Sequence, residues 1–153
     1  MIASIFVGYD EREDDAYRVC VASLHAHSPA VRSGEIAVAP IKLDDMRERG
    51  LYWREHEDHG GQIWDVISHA PMSTAFAITR FCTPHLAITD WALFVDCDIL
   101  IRSDIAELFA CADSRYAIQV VKHGYVATPS VKMNRQLQTD YPKKWWSSVM
   151  LFN

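Results

Sequence analysis

Ala92-Leu93-Phe94-Val95-Asp96-Cys97-Asp98-Ile99-Leu100 is the stretch whose reading decides the fold. An apolar run of this length, unbroken by polar residues, is the pattern of a strand buried on both faces, as in a parallel α/β sheet. It ends in two carboxylates spaced i, i+2, and residues two apart on an extended chain point to the same side. Asp96 and Asp98 are therefore expected to converge at the carboxyl end of a strand, where open α/β sheets bind their ligands. Two acids held together there are costly unless a positive charge sits between them, and a divalent metal ion meets that need.

Working outward, the apolar segment 4–8 reads as a first strand, broken by Gly8-Tyr9-Asp10-Glu11. Asp14 and Asp15 open a helix whose expected inward face is Ala16, Val19, Cys20 and Leu24, with histidines in its last turn before Pro29. Residues 35–41 form a second strand reaching Pro40. Strand, helix, strand implies a parallel crossover. The charged segment 42–61, closing in Gly60-Gly61, reads as a short helix followed by a surface loop. Ser73 or Thr74 is expected to cap a helix through Phe81, with Pro84 ending or kinking it. After the central strand, Ser103 caps a helix with Ile105, Leu108, Phe109 and Ala112 on one face. Residues 117–121 form a strand, 134–144 a polar connection, and 149–152 a last apolar strand. The chain stops on that strand, which suggests either a short natural variant or a C-terminal truncation.

The 153 residues suit one domain, carry 50% hydrophobic and 23% charged residues, and have a formal net charge of −5. That balance argues against a nucleic-acid surface. No apolar run approaches the roughly 20 residues of a membrane span, and the N-terminus lacks signal-peptide features. The four cysteines lack metal-binding spacing. Three fall in apolar segments and are expected to be buried and reduced, which suits a cytoplasmic protein. The seven histidines show no zinc pattern.

Taken in order, several segments resemble a known family: strand-Gly-Tyr-Asp, then Ser73-Thr74-x-Phe76-x-x-x-Arg80, then Asp96-Cys97-Asp98, then Trp146-Ser147-Ser148-Val149-Met150-Leu151-Phe152-Asn153. The set is similar to the GT-A glycosyltransferases, particularly the family 8-like sugar-nucleotide transferases of bacteria and phages. The resemblance implies an α/β fold of GT-A type: a mostly parallel twisted sheet with helices on both faces, over residues 1–153 as a single nucleotide-sugar-binding domain. It implies a metal-binding pair in Asp96 and Asp98, with Mn²⁺ or Mg²⁺. It implies a donor-contacting set of Gly8, Tyr9, Asp10, Arg80, Asp96, Cys97, Trp146, Ser147 and Ser148. The family shows Asn-Ala/Ser-Gly where this chain has Trp-Ser-Ser, so no sugar preference carries over. The family's downstream histidine ligand falls beyond Asn153.

The chemistry suits those residues. Glycosyl transfer leaves a diphosphate that gains negative charge as the anomeric bond opens, and a hard cation stabilises it. Arg80 offers a planar contact to phosphate or hydroxyl, and Tyr9 a face for a pyrimidine. Arg80→Ala is expected to weaken donor binding with little cost to stability. The implied partners are a nucleotide-sugar donor, expected to be a UDP-sugar, and a carbohydrate, lipid or protein acceptor with a free hydroxyl; oligomerisation stays open. Bland roles compete: Asp10 as a turn or cap residue, Tyr9 as a half-buried core ring, Arg80 paired with Asp90 or another surface acid. Two rival functions remain, a nucleotide-sugar-binding module without turnover and a haloacid-dehalogenase-like phosphatase. The phosphatase pattern usually opens its chain, whereas here it is central.

Overall fold

A computed structural model describes residues 3–124 and 146–153. In chain order the elements are β1 (Ala3–Gly8), α1 (Asp14–His27), α2 (Pro29–Arg32), β2 (Ala37–Ile41), α3 (Leu43–Glu48), β3 (His56–Asp58), β4 (Ile63–Asp65), β5 (Ala70–Met72), α4 (Thr83–Leu86), β6 (Trp91–Val95), α5 (Ala106–Phe109), β7 (Ile118–Val120) and β8 (Val149–Phe152). Short 3₁₀ turns occupy Glu11–Glu13, Thr79–Cys82 and Trp146–Ser148. The connection expected over 134–144 lies outside the described residues.

The main sheet has the order β2-β1-β6-β8-β7. β1 pairs in parallel with both β2 and β6, and β8 runs antiparallel to β6 and β7. Four strands thus share one direction and β8 alone is reversed. Every residue of β1 and β6 is buried, as expected of interior strands covered on both faces. β2 is the edge strand, which is where its Pro40 is tolerated, because an edge does not need every ladder N–H. Ile5, Val7, Leu24, Ile41, Leu93 and Phe94 are among the core side chains.

Several expectations are corrected. Of the expected inward face of α1, Cys20 and Leu24 are buried, whereas Val19 is 56% exposed and Ser23 is buried in addition. Ser23 is accommodated because its Oγ donates to Cys20 O and accepts from Ile101 N. Of the cysteines, Cys20 and Cys97 are buried, Cys82 is half-buried and Cys111 exposed. The loop expected up to residue 61 contains β3, the first strand of a separate antiparallel sheet, β3-β4-β5. Three-residue strands carry too little alternation to be read from sequence. Buried Asp65 holds this sheet, taking hydrogen bonds from the Arg54 guanidinium, the Ser68 hydroxyl and Ser68 N.

The helix expected from Ser73 through Phe81 is replaced by turns and the 3₁₀ segment Thr79–Cys82. Bonds from outside the segment compete with helix geometry: Ala75 N donates to Asp10 Oδ2 at 2.9 Å. Pro84 sits in the first turn of α4, where its missing N–H costs nothing, so it starts a helix rather than ending one. Near α5 the capping oxygen belongs to Asp104, which accepts from Ala106 N at 3.1 Å, not to Ser103.

Gly8 ends β1 beneath the ring of Phe76, and a Cβ there would lie 2.5 Å from Phe76 Cδ2. Gly8→Ala should therefore destabilise the protein by about 2 kcal/mol in denaturant titration, and adding Phe76→Leu should recover part of that loss. The hydrogen bonds from Arg54, and then those from Ser68, outweigh burial and hold the Asp65 carboxyl well below the ordinary carboxylate range. A depressed folded value gives stability that is present above about pH 4 and is lost as the pH falls below it. The melting temperature of the wild type should consequently drop more steeply below about pH 4 than that of Asp65→Asn, which starts lower at neutral pH.

Candidate functional site

The strand β6 stops at Val95, and Asp96-Cys97-Asp98-Ile99 forms a turn in which Ile99 N donates to Asp96 O at 3.3 Å. The two acids thus owe their common orientation to a turn rather than to an extended strand. Both line one cavity of about 540 Å³ at the carboxyl edge of β1 and β6. Arg80, Ser147, Ser148 and Glu13 line it with them. Ser147 and Ser148 reach this edge because β8 is antiparallel and begins there, and Ser148 O accepts from Asp96 N at 2.9 Å.

Arg80 is buried at the base of the cavity. Its Nη1 lies 2.9 Å from Asp96 Oδ1, and also donates to Ser147 O at 2.9 Å and Ser147 Oγ at 3.3 Å. Nε donates to Phe76 O at 3.3 Å. The guanidinium carbon is 5.3 Å and 5.1 Å from the ring centres of Phe76 and Phe94. The N–H groups are aimed at Ser147, so Asp96 Oδ1 is close to a positive charge yet has no aligned donor. Arg80 pairs with an acid of the site and not with Asp90.

Burial raises the Asp96 carboxyl above its ordinary value. The Arg80 charge and the Ser148 hydrogen bond oppose that rise, while the Asp98 and Glu13 charges add to it. Among the described residues, three carboxylates face the cavity (Glu13, Asp96 and Asp98) against one guanidinium. Oxygen-only donors of this kind match the hard cations Mg²⁺ and Mn²⁺. No group of three or more His, Cys, Asp or Glu side chains placed to hold one metal ion occurs among the described residues, and Asp96 and Asp98 are the expected pair.

The remaining expected residues stand around the cavity rather than in it. Gly8 packs under Phe76. Asp10 caps the 3₁₀ turn through Arg12 N, binds the Arg12 guanidinium at 2.9 and 2.6 Å, and accepts from Ala75 N. Burial would raise its carboxyl, and these hydrogen bonds outweigh it and lower the value. Tyr9 donates to Asp14 Oδ1 at 3.2 Å, meets Tyr17 edge-on at 5.1 Å, and has the Lys42 ammonium 4.8 Å from its ring centre. A base stacking on Tyr9 would share the ring with that ammonium. Trp146 is half-buried with Lys122 Nζ 5.8 Å from its ring centre. Cys97 turns away from the large cavity and donates its S–H to Glu13 Oε2 at 3.1 Å.

Sequence reasoning missed Glu13, Ile99 and His123 as lining residues, and placed Ser73, Thr74, Phe76 and Ala77 on a helix without assigning them to the site. Glu13 was hidden by its acidic neighbours, which read as compensation for a helix dipole.

No protein-family model matches the chain. Protein CDI of Arabidopsis thaliana is 45% identical over 150 residues, which make up 97% of this chain and 52% of that protein. The chain spans about half the length of the curated relative it matches. Among solved structures, galactosyltransferase LgtC in complex with donor and acceptor sugar analogs matches with a TM-score of 0.50 and 14% identity, over 98% of this chain and 57% of that one. With the strand order above, this likeness shows the fold: mixed α/β of GT-A type, with a mostly parallel central sheet.

The burial of Arg80 overturns the expectation that its removal is cheap. Arg80→Ala leaves the largely buried Asp96 without its counter-charge and should cost about 3 kcal/mol in denaturant unfolding. Arg80→Lys should recover less than half of that, because one ammonium cannot reach Ser147, Phe76 O and Asp96 together.

Proposed function

We propose that the chain carries the donor site of a metal-dependent glycosyltransferase, moving a sugar from a nucleotide-diphosphate donor, a UDP-sugar, to an acceptor hydroxyl on a carbohydrate, lipid or protein. The observation that carries this reading is the convergence of Asp96 and Asp98 on one cavity at the carboxyl edge of the parallel strands. Three carboxylates against one guanidinium would repel a diphosphate. A divalent cation held by Asp96 and Asp98 reverses that sign locally and supplies charge stabilisation for the departing diphosphate. The fold supports the reading, because it is shared with a galactosyltransferase solved with donor and acceptor sugar analogs.

The chain's own residues divide the work. Asp96, half-buried with an Oδ1 that is inaccessible and short of an aligned donor, is the more rigid ligand, and exposed Asp98 completes the pair. Arg80 sets the Asp96 rotamer and closes the cavity floor, with the Ser147 and Ser148 hydroxyls beside it for a sugar or phosphate oxygen. Phe76 and Ile99 give the cavity an apolar wall.

Calorimetry with UDP tests this. Binding should require Mn²⁺ or Mg²⁺ and weaken at least tenfold in Asp98→Asn, whose melting temperature should stay within about 2 °C of wild type because the side chain is exposed. Metal-independent binding, or binding unchanged in both Asp98→Asn and Asp96→Asn, would refute the assignment. UDP binding with Mn²⁺ but neither hydrolysis nor transfer of UDP-sugars across an acceptor panel would instead mark a binding module.

A further inference from the structure

The turn that presents the two acids is lightly held by its own backbone. Asp96 N is anchored to Ser148 O at 2.9 Å, and among the described residues the turn closes through Ile99 N to Asp96 O at 3.3 Å, near the long limit of a hydrogen bond. Asp98 lies in the second half and is exposed. Between the acids, Cys97 is 1% exposed and faces a small apolar cleft shared with Ala16 and Val19 of α1. Its S–H reaches Glu13 Oε2 at 3.1 Å, a contact between residues 84 apart in sequence. Glu13 stands where the 3₁₀ turn meets α1, and its N–H donates to Asp10 O at 2.9 Å. It is therefore fixed to the end of β1 by a bond independent of the cysteine.

We propose that Glu13 and Cys97 form a positioning latch, in which the thiol of the middle residue ties the acidic turn to the start of α1 and holds Asp98 beside Asp96. The inference rests on the reading of these two aspartates as the cation-holding pair. A thiol is a weak donor toward neutral groups and a stronger one toward an ionised acceptor. The latch has a second effect. It engages one oxygen of a third carboxylate that faces the same cavity as Asp96 and Asp98. Serine in place of Cys97 keeps the donor with a shorter reach. Valine keeps the shape and removes the donor.

Two readouts test the latch, and the first requires no ligand. In amide exchange followed by NMR, the Ile99 N–H should exchange about tenfold faster in Cys97→Val and in Glu13→Met, the effect of losing one hydrogen bond to a charged group. The double variant should be no faster than either single one, Cys97→Ser should stay within about twofold of wild type, and the Asp96 N–H should barely change. Cys97→Ala is the substitute should valine overpack the cleft. In the second readout, the Mn²⁺ concentration for half-maximal UDP binding should rise about fivefold in Cys97→Val, with UDP affinity at saturating Mn²⁺ unchanged. Unchanged Ile99 exchange in Cys97→Val, or additive effects in the double variant, would overturn the latch. If the exchange pattern holds but the wild type binds no UDP with Mn²⁺, the latch stands and the donor-site reading falls.

Discussion

The parallel pairing of β1 with β6, in a register that sets Val7 against Val95, places the chain leaving β1 beside the chain leaving β6. Gly8-Tyr9-Asp10 and Asp96-Cys97-Asp98 are 88 residues apart in number yet emerge at one edge of the sheet. The reversed β8 starts at that same edge and delivers Ser147 and Ser148. Asp96, Asp98, Ser147 and Ser148 reach the cavity from these strand ends, while Arg80 comes from the 3₁₀ segment before α4. The strands can be placed so firmly because they are apolar throughout and buried on both faces, so a register slip would expose core residues or bury polar ones.

Charge then shapes what the strand ends can do. An excess of carboxylates over guanidinium at a partly dry edge is unfavourable in isolation, and the molecule disperses the cost. Arg80 compensates Asp96 from below, and Asp10 is taken out of the cavity by Arg12 and Ala75. Glu13 is drawn to the Cys97 thiol. Asp98 is left exposed and lines the cavity beside Asp96.

Legibility differed sharply between segments. The apolar runs of β1, β6 and β8 and the amphipathic α1 were readable because their patterns are long relative to their periods. The sheet β3-β4-β5 was not, since its strands are three residues long and its organising contact is an ion pair between Arg54 and Asp65. The segment before α4 carries helix-forming residues, and bonds from Asp10 and Thr83 divert its backbone instead. Ser147 and Ser148 are legible only through a family resemblance, and Glu13 is indistinguishable in sequence from Glu11, Asp14 and Asp15 beside it.

Local composition settled the long strands β1, β6 and β8, the helix α1 and the two acids that follow a buried strand, because these patterns depend on neighbours within a few residues. The partners of those acids were decided only when the sheet assembled. Arg80 with Asp96, Arg80 with Ser147 and Glu13 with Cys97 join residues between 16 and 84 positions apart. Such contacts depend on strand order and register, which no single segment contains.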